Sequence, residues 1–188
     1  MSTAPSALAP SLRRLYFTRF AFALVWAALL IATASDLGPA AVTLLVLYPL
    51  FDVAAAIVDA RAAKATGSVL ALYVNVAVSL LAAAGVAVAA ASGIPGVLRV
   101  WGSWAVVSGL VQLAVGISRR GLGGQWPMIL SGALSVVAGT SFILQAGRDG
   151  ASLVTIGGYA VLGGIFFLVS ALRLGTAARK AGLSAGTV

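Results

Sequence analysis

Asp52 is the residue whose type and setting could do chemistry. It lies inside the apolar run from Pro39 to Ala60, in a chain whose four acidic residues are all Asp. A carboxylate at the centre of a membrane-spanning helix costs roughly 2.5–3.5 kcal/mol on insertion scales, so it must face other helices and hold a partner. Folding the chain back about Gly38 brings residue 52 level with Ala23, and Arg19 lies one helical turn beyond. An Arg stem spans that offset, so Arg19–Asp52 is the expected ion pair. Tyr48, four residues before Asp52, and Asp59, seven after it, fall on the same helix face. Pro49 between them frees the carbonyl of Leu45 and favours a kink. Gln112, in a later apolar run, completes a candidate intramembrane polar cluster of Arg19, Tyr48, Asp52, Asp59 and Gln112. Two roles are open to it: a proton or ion relay, or an ion pair that locks two helices together. One deep carboxylate in a chain without His favours the lock.

Little other chemistry is available. With no Cys and no His there is no thiolate nucleophile, no disulfide and no metal-ligand spacing. No paired carboxylates or nucleophile–base set exists, so catalytic residues are none, a metal site is none, a cofactor is none, and an enzyme is not expected. Gly121-Leu-Gly-Gly124 lacks the Lys-Ser/Thr ending and preceding strand of a phosphate loop and reads as a turn. Asn75, Ser79, Ser108, Ser131, Ser135 and Tyr159 are polar residues within apolar runs. Such residues commonly bind helices to one another at about 0.6 kcal/mol each. Asp36 and the pair Arg148-Asp149 fall in loops.

The elements that must position these residues follow from composition. Of 188 residues, 61% are apolar and 9% charged, with a mean hydropathy of +1.09. A soluble domain carries about a quarter charged residues, so this chain is solvated by lipid. Runs near the roughly 20 residues that a crossing needs extend over Phe20–Leu37, Pro39–Ala60, Val69–Ala91, Val100–Ile117, Pro127–Leu144 and Leu153–Leu172. The fold class expected is an all-α integral membrane six-helix bundle. Arg13-Arg14, the first apolar run and Ala32-Thr33-Ala34 also fit a cleavable leader, but the run is long for one. If the ends alternate, one side holds Arg13, Arg14, Arg19, Arg61, Lys64, Arg119, Arg120, Arg173, Arg179 and Lys180, and the other only Arg99 and Arg148. That asymmetry places both termini in the cytoplasm. Trp101 and Trp126, at run ends, are expected at headgroup level. The net charge of +8 sits in short clusters between apolar runs, which suits anionic lipid headgroups and excludes a nucleic-acid face. The partners expected are membrane lipids. Ten Arg against two Lys, with abundant Ala and Gly, points to a GC-rich bacterial genome.

The even-numbered runs share a pattern: Tyr48 then Asp52, Trp104 then Ser108, and Tyr159 then Gly163, at offsets of 56 and 55 residues. Asn75, Ser79 and Ala83 align with Ser131, Ser135 and Gly139 at the same offset of 56. Three tandem hairpins result, over about 17–64, 69–120 and 126–174, related by an axis along the membrane normal. They form one transmembrane domain, 17–174, between short cytoplasmic tails, 1–16 and 175–188. Gly102, Gly109 and Gly116 recur every seven residues, and Gly157 and Gly164 repeat that spacing. Without a hydrophobic drive between helices in lipid, close backbone approach must bind them, so these are helix-packing positions. A homo-oligomer through the same stripe is the alternative.

The stretch Trp101-Gly-Ser-Trp-Ala-Val-Val-Ser-Gly-Leu-Val-Gln112, with Gln125-Trp-Pro, Ser131-Gly-Ala-Leu-Ser135, Ala138-Gly139 and Gly158-Tyr-Ala-Val-Leu-Gly-Gly-Ile-Phe-Phe-Leu, resembles the bacterial membrane proteins grouped with the acid-resistance protein HdeD. The resemblance covers about Arg99 to Leu174, and the first half matches in layout alone. It implies two-helix repeats, an inner-membrane location and, for the family's namesake, a role in acid stress, with no catalytic residues to carry over. The functions expected are therefore a non-enzymatic HdeD-like membrane protein tied to acid or envelope stress or, as the alternative, a small transporter or channel using the Asp52 cluster.

Overall fold

Lipid leaves a backbone few options. Each N–H and C=O must be satisfied within its own segment, and among the described residues of this chain every long segment is helical and no strand occurs. The computed structural model describes residues 4–63, 70–118 and 126–185. The helices are α1 (Ala4–Ala32), α2 (Pro39–Ala63), α3 (Leu70–Ala89), α4 (Gly93–Ser118), α5 (Trp126–Gln145) and α6 (Val154–Ala185). Four stretches within them are long and apolar enough to cross a membrane, the one from Leu70 to Ala114 running 45 residues through α3 and α4. The apolar part of α5, Ile129–Gln145, is shorter. Over an 18-residue apolar window in each of the four stretches, only 22–33% of residues are buried inside the bundle. Val25, Leu81, Val88 and Val137 are all more than three-fifths exposed on the outside. A protein in water does not present so much large apolar surface on several helices.

The joints are read from local chemistry. Pro39 opens α2, where its missing N–H costs nothing. The Thr33 hydroxyl bonds back to the carbonyl of Leu29 at 3.0 Å as α1 ends. Ser152 Oγ accepts the Val154 N–H at 3.2 Å and caps α6. Thr155 donates to Gln145 Oε1 at 2.9 Å, clasping α5 to α6 across their loop.

Three expected boundaries are corrected. Residues 93–99, expected as a break, belong to α4. A 3-10 turn, Ala90–Ser92, leads into Gly93 at φ +72, a left-handed conformation that glycine adopts freely, and Pro95 fits the first turn that follows. The tails are also helical: α1 starts at Ala4 and α6 continues to Ala185. An apolar run marks where lipid ends, and a helix of Ala, Leu, Arg and Lys can continue past that point. The two arms lie together, since a Cβ on Gly175 of α6 would stand 3.2 Å from the Arg13 guanidinium of α1.

The closest seams join α1 with α6, α2 with α3 and α4 with α5, so the helices close into a ring. Small residues make these seams. On α4–α5, a Cβ on Gly102 would lie 2.5 Å from the Gly139 carbonyl oxygen, and one on Gly109 would lie 2.7 Å from that of Gly132. On α1–α6, Gly157 rests against Ile31 and Gly164 against Ala23. Gly102, Gly109, Gly157 and Gly164 thus pack helices of one chain. The side chains of Gly116 and Asp59, and the segments 64–69 and 119–125 with Arg119, Arg120 and the turn at Gly121, lie outside those described.

Candidate functional site: a buried carboxylate cluster

Three layers stack along the bundle axis. At the end away from the termini the core is aliphatic: Leu30, Leu45, Val86, Val97, Leu98, Leu153 and Ile156 are each at most 1% exposed. The middle layer is aromatic. The third, nearer the termini, is polar and holds Asp52.

Asp52 is buried, and its carboxylate takes donors from two other helices. Arg19 of α1 forms a salt bridge with Oδ1. Asn75 Nδ2 and Ser79 Oγ of α3 donate to Oδ2 at 2.7 and 2.9 Å. Ser79 also accepts a hydrogen bond from Trp104 Nε1 of α4 at 3.2 Å. Charge-assisted bonds of this kind are roughly twice as strong as neutral ones, and together they offset the desolvation of the carboxylate. Beyond Asp52 the Arg19 guanidinium lies 4.2 Å from the centre of the Phe167 ring, so α6 joins the same cluster through a cation–π contact.

The structure brings together Arg19 and Asp52, and sets Tyr48 and Gln112 beside that pair on their own contacts. Tyr48 stands in the aromatic layer, with its ring centroid 4.5 Å from Trp26, 5.5 Å from Trp101 and 6.1 Å from Trp104. Gln112 lies on the α4–α5 seam, where a Cβ on Gly132 would be 3.1 Å from its Cβ. Asn75 and Ser79, read from sequence as general helix glue, are direct ligands of the carboxylate. Their four-residue spacing was visible, but the fact that α3 lies against α2 was needed to assign them. Trp101 is corrected as well: it is fully buried, stacked on Trp26 at 5.5 Å and edge-on to Trp104 at 5.0 Å. Residues 93–99 lengthen α4 by nearly two turns, which moves Trp101 from the helix end into the core. Trp126, by contrast, is 76% exposed at the start of α5.

The aromatic position of the repeat does the same work twice. Trp104 donates to Ser79, and Tyr159 shares a 2.8 Å bond with Ser135, the partners being 25 and 24 residues apart. At the equivalent place in the first hairpin Ala23 has no hydroxyl to offer Tyr48. Tyr159→Phe should lower stability by about 0.6–1.7 kcal/mol, the range for interhelical bonds in membranes. Ser135→Ala should add little on top of Tyr159→Phe, since both remove one bond. A double-mutant cycle read by thermal unfolding in detergent checks this, and full additivity would show that the two side chains do not interact.

The arrangement is that of a multi-pass helical membrane protein built around one buried ion pair. Among the described residues no group of three or more His, Cys, Asp or Glu is placed to hold a metal ion. No family model, curated protein or solved structure matches the chain.

Proposed function

We propose that this chain is a non-enzymatic protein of the bacterial inner membrane, crossing six times with both termini in the cytoplasm and serving in acid or envelope stress, a role that its resemblance to the family of HdeD suggests. The observation that carries its non-enzymatic character is the saturation of Asp52. Its carboxylate accepts from Arg19, Asn75 and Ser79, which makes it a tie between helices rather than a group held ready for substrate. The stress role rests on the resemblance of the stretch Trp101–Gln112 and its companions. The six-crossing reading is supported by the length of the Leu70–Ala114 stretch. At 45 residues it is about twice what one crossing uses, and it bends at the 3-10 turn. The cytoplasmic placement of the termini rests on the ten-to-two asymmetry of Lys and Arg.

Deleting the gene in the source bacterium and challenging the strain at low pH tests the role. Reduced survival, restored by the wild-type gene and by an Asp52→Asn copy that still folds, is expected. Survival equal to the parent strain under acid and envelope stress overturns it. Loss of complementation by a folded Asp52→Asn protein would favour the small transporter or channel reading.

A further inference from the structure

We propose that the part of the polar layer along α4, beside the Asp52 ion pair, is a hydrated half-channel. It opens at the end of the bundle that carries the termini and is closed toward the other end by the Trp26–Tyr48–Trp101–Trp104 aromatic layer. It deepens the transporter or channel alternative named above, and takes only its direction, toward the cytoplasm, from the topology proposed there.

Four buried polar atoms have no hydrogen-bond partner among the described residues: Arg19 Nε, Trp101 Nε1, Ser108 Oγ and Gln112 Oε1. Three of them sit on α4. Trp101, Ser108 and Gln112, with the buried Ala105 between them, form one stripe at helical spacing, and Trp101 and Ala105 point into the core. The stripe therefore lines the interior and not the lipid face. Ser108 is one turn from Trp104, whose indole reaches Ser79 and through it Asp52. Ser108 and Gln112 thus continue the Asp52 cluster along α4 toward the termini, while Trp101 Nε1 lies in the aromatic layer.

A buried polar atom without a partner costs about 1–3 kcal/mol, and in a membrane protein lipid cannot supply the missing bond. Ser108 Oγ and Gln112 Oε1 on α4 and Arg19 Nε on α1 are satisfied most simply by water, which binds where two to four polar groups converge. Access is assigned to the terminal end because the cluster lies nearer to it, and the side chains of Arg19 and Asp52 retain 18% and 10% exposure. Toward the other end the described rings of Trp26, Tyr48, Trp101 and Trp104 pack with centroids 4.5–6.1 Å apart, and the aliphatic residues beyond them are at most 1% exposed. The chemical class admitted is water and small hydrophilic solutes.

The chain has no Cys, so single cysteines can be placed without removing any. Ser108→Cys, Gln112→Cys, Val86→Cys in the dry layer and the exposed Arg14→Cys are each reacted with a charged, membrane-impermeant methanethiosulfonate in sealed vesicles of both orientations. Gel filtration and thermal unfolding establish that each variant is folded. The expected result is modification of Ser108→Cys and Gln112→Cys from the same side as Arg14→Cys, at least about tenfold faster than Val86→Cys, because a thiol buried in apolar surroundings is inert. Rates equal to that of Val86→Cys from both sides overturn the proposal, and so does reaction only from the side opposite Arg14→Cys. If Ser108→Cys, Gln112→Cys and the exposed Arg14→Cys all react only from outside the cell, the half-channel stands and the cytoplasmic placement of the termini falls.

Discussion

Replacing Asp52 with alanine should destabilise the protein by about 3–5 kcal/mol, the cost of breaking a buried ion pair by removing one partner. The change leaves Arg19 charged among α1, α2 and α6 beside the Phe167 ring, and leaves Asn75 Nδ2 and Ser79 Oγ without the acceptor they share. Asp52→Asn keeps an acceptor oxygen for one of these donors, so its loss should be smaller, about 1–3 kcal/mol. Removing both charges at once, as Arg19→Met with Asp52→Leu, should recover most of the stability, because an apolar pair of similar volume avoids the desolvation that the ions incur. Thermal or SDS-induced unfolding in detergent orders the variants. An Asp52→Ala protein as stable as the wild type would mean that the carboxylate is solvated and that the three contacts contribute nothing. A double variant no better than the single would mean that the donors from α3, and not the charge of Arg19, dominate.

The three donors favour one of the two roles open to Asp52. A relay needs a group that can change partners, whereas this carboxylate is held at both oxygens by side chains from α1 and α3. The lock is therefore the better account of Asp52 itself, and any hydrated path must pass through its unpartnered neighbours on α4. This separates the ion pair from the proposed hydrated path inside the same layer. The labelling of Ser108 and Gln112 and the stability of the Asp52 variants can accordingly give independent answers.

How much of this was legible beforehand depended on whether the signal was local. The Arg19–Asp52 pair could be found because a short hairpin about Gly38 fixes the relative height of two helices by counting residues. Asn75 and Ser79 could not be assigned to Asp52 the same way. Their helix reaches α2 across a connection at 64–69, and counting does not reveal which face it presents. The glycine spacing on α4 and α6 announced close seams, but the partners, α5 for one and α1 for the other, come from ring closure. Trp101 was misplaced for a different reason. Gly93, Pro95 and Gly96 look like loop residues, and here they begin a helix that buries the indole.

Gly102→Ala and Gly139→Ala should each be disruptive out of proportion to a single methyl. A Cβ on either residue would stand 2.5 Å from the carbonyl oxygen of the other, and real Cβ atoms do not approach backbone so closely. The obstacle is main chain on both sides, so neither a rotamer change nor a small side-chain shift makes room and α4 and α5 must separate. Overpacking a core costs about 1–3 kcal/mol, occasionally more, and these two sites belong at the upper end. Gly157→Ala should cost less, because the atom met at 2.8 Å is Ile31 Cγ1, part of a side chain that can rotate. Gly158→Ala meets nothing within 4 Å and should stabilise by about 0.5–1 kcal/mol through helix propensity alone. Unfolding midpoints of the four variants in one detergent should therefore rank Gly158→Ala above wild type, then Gly157→Ala, then Gly102→Ala and Gly139→Ala. If Gly102→Ala ranked with Gly158→Ala, α4 and α5 would not be in backbone contact, and the α4–α5 seam that closes the ring at this point would be wrong.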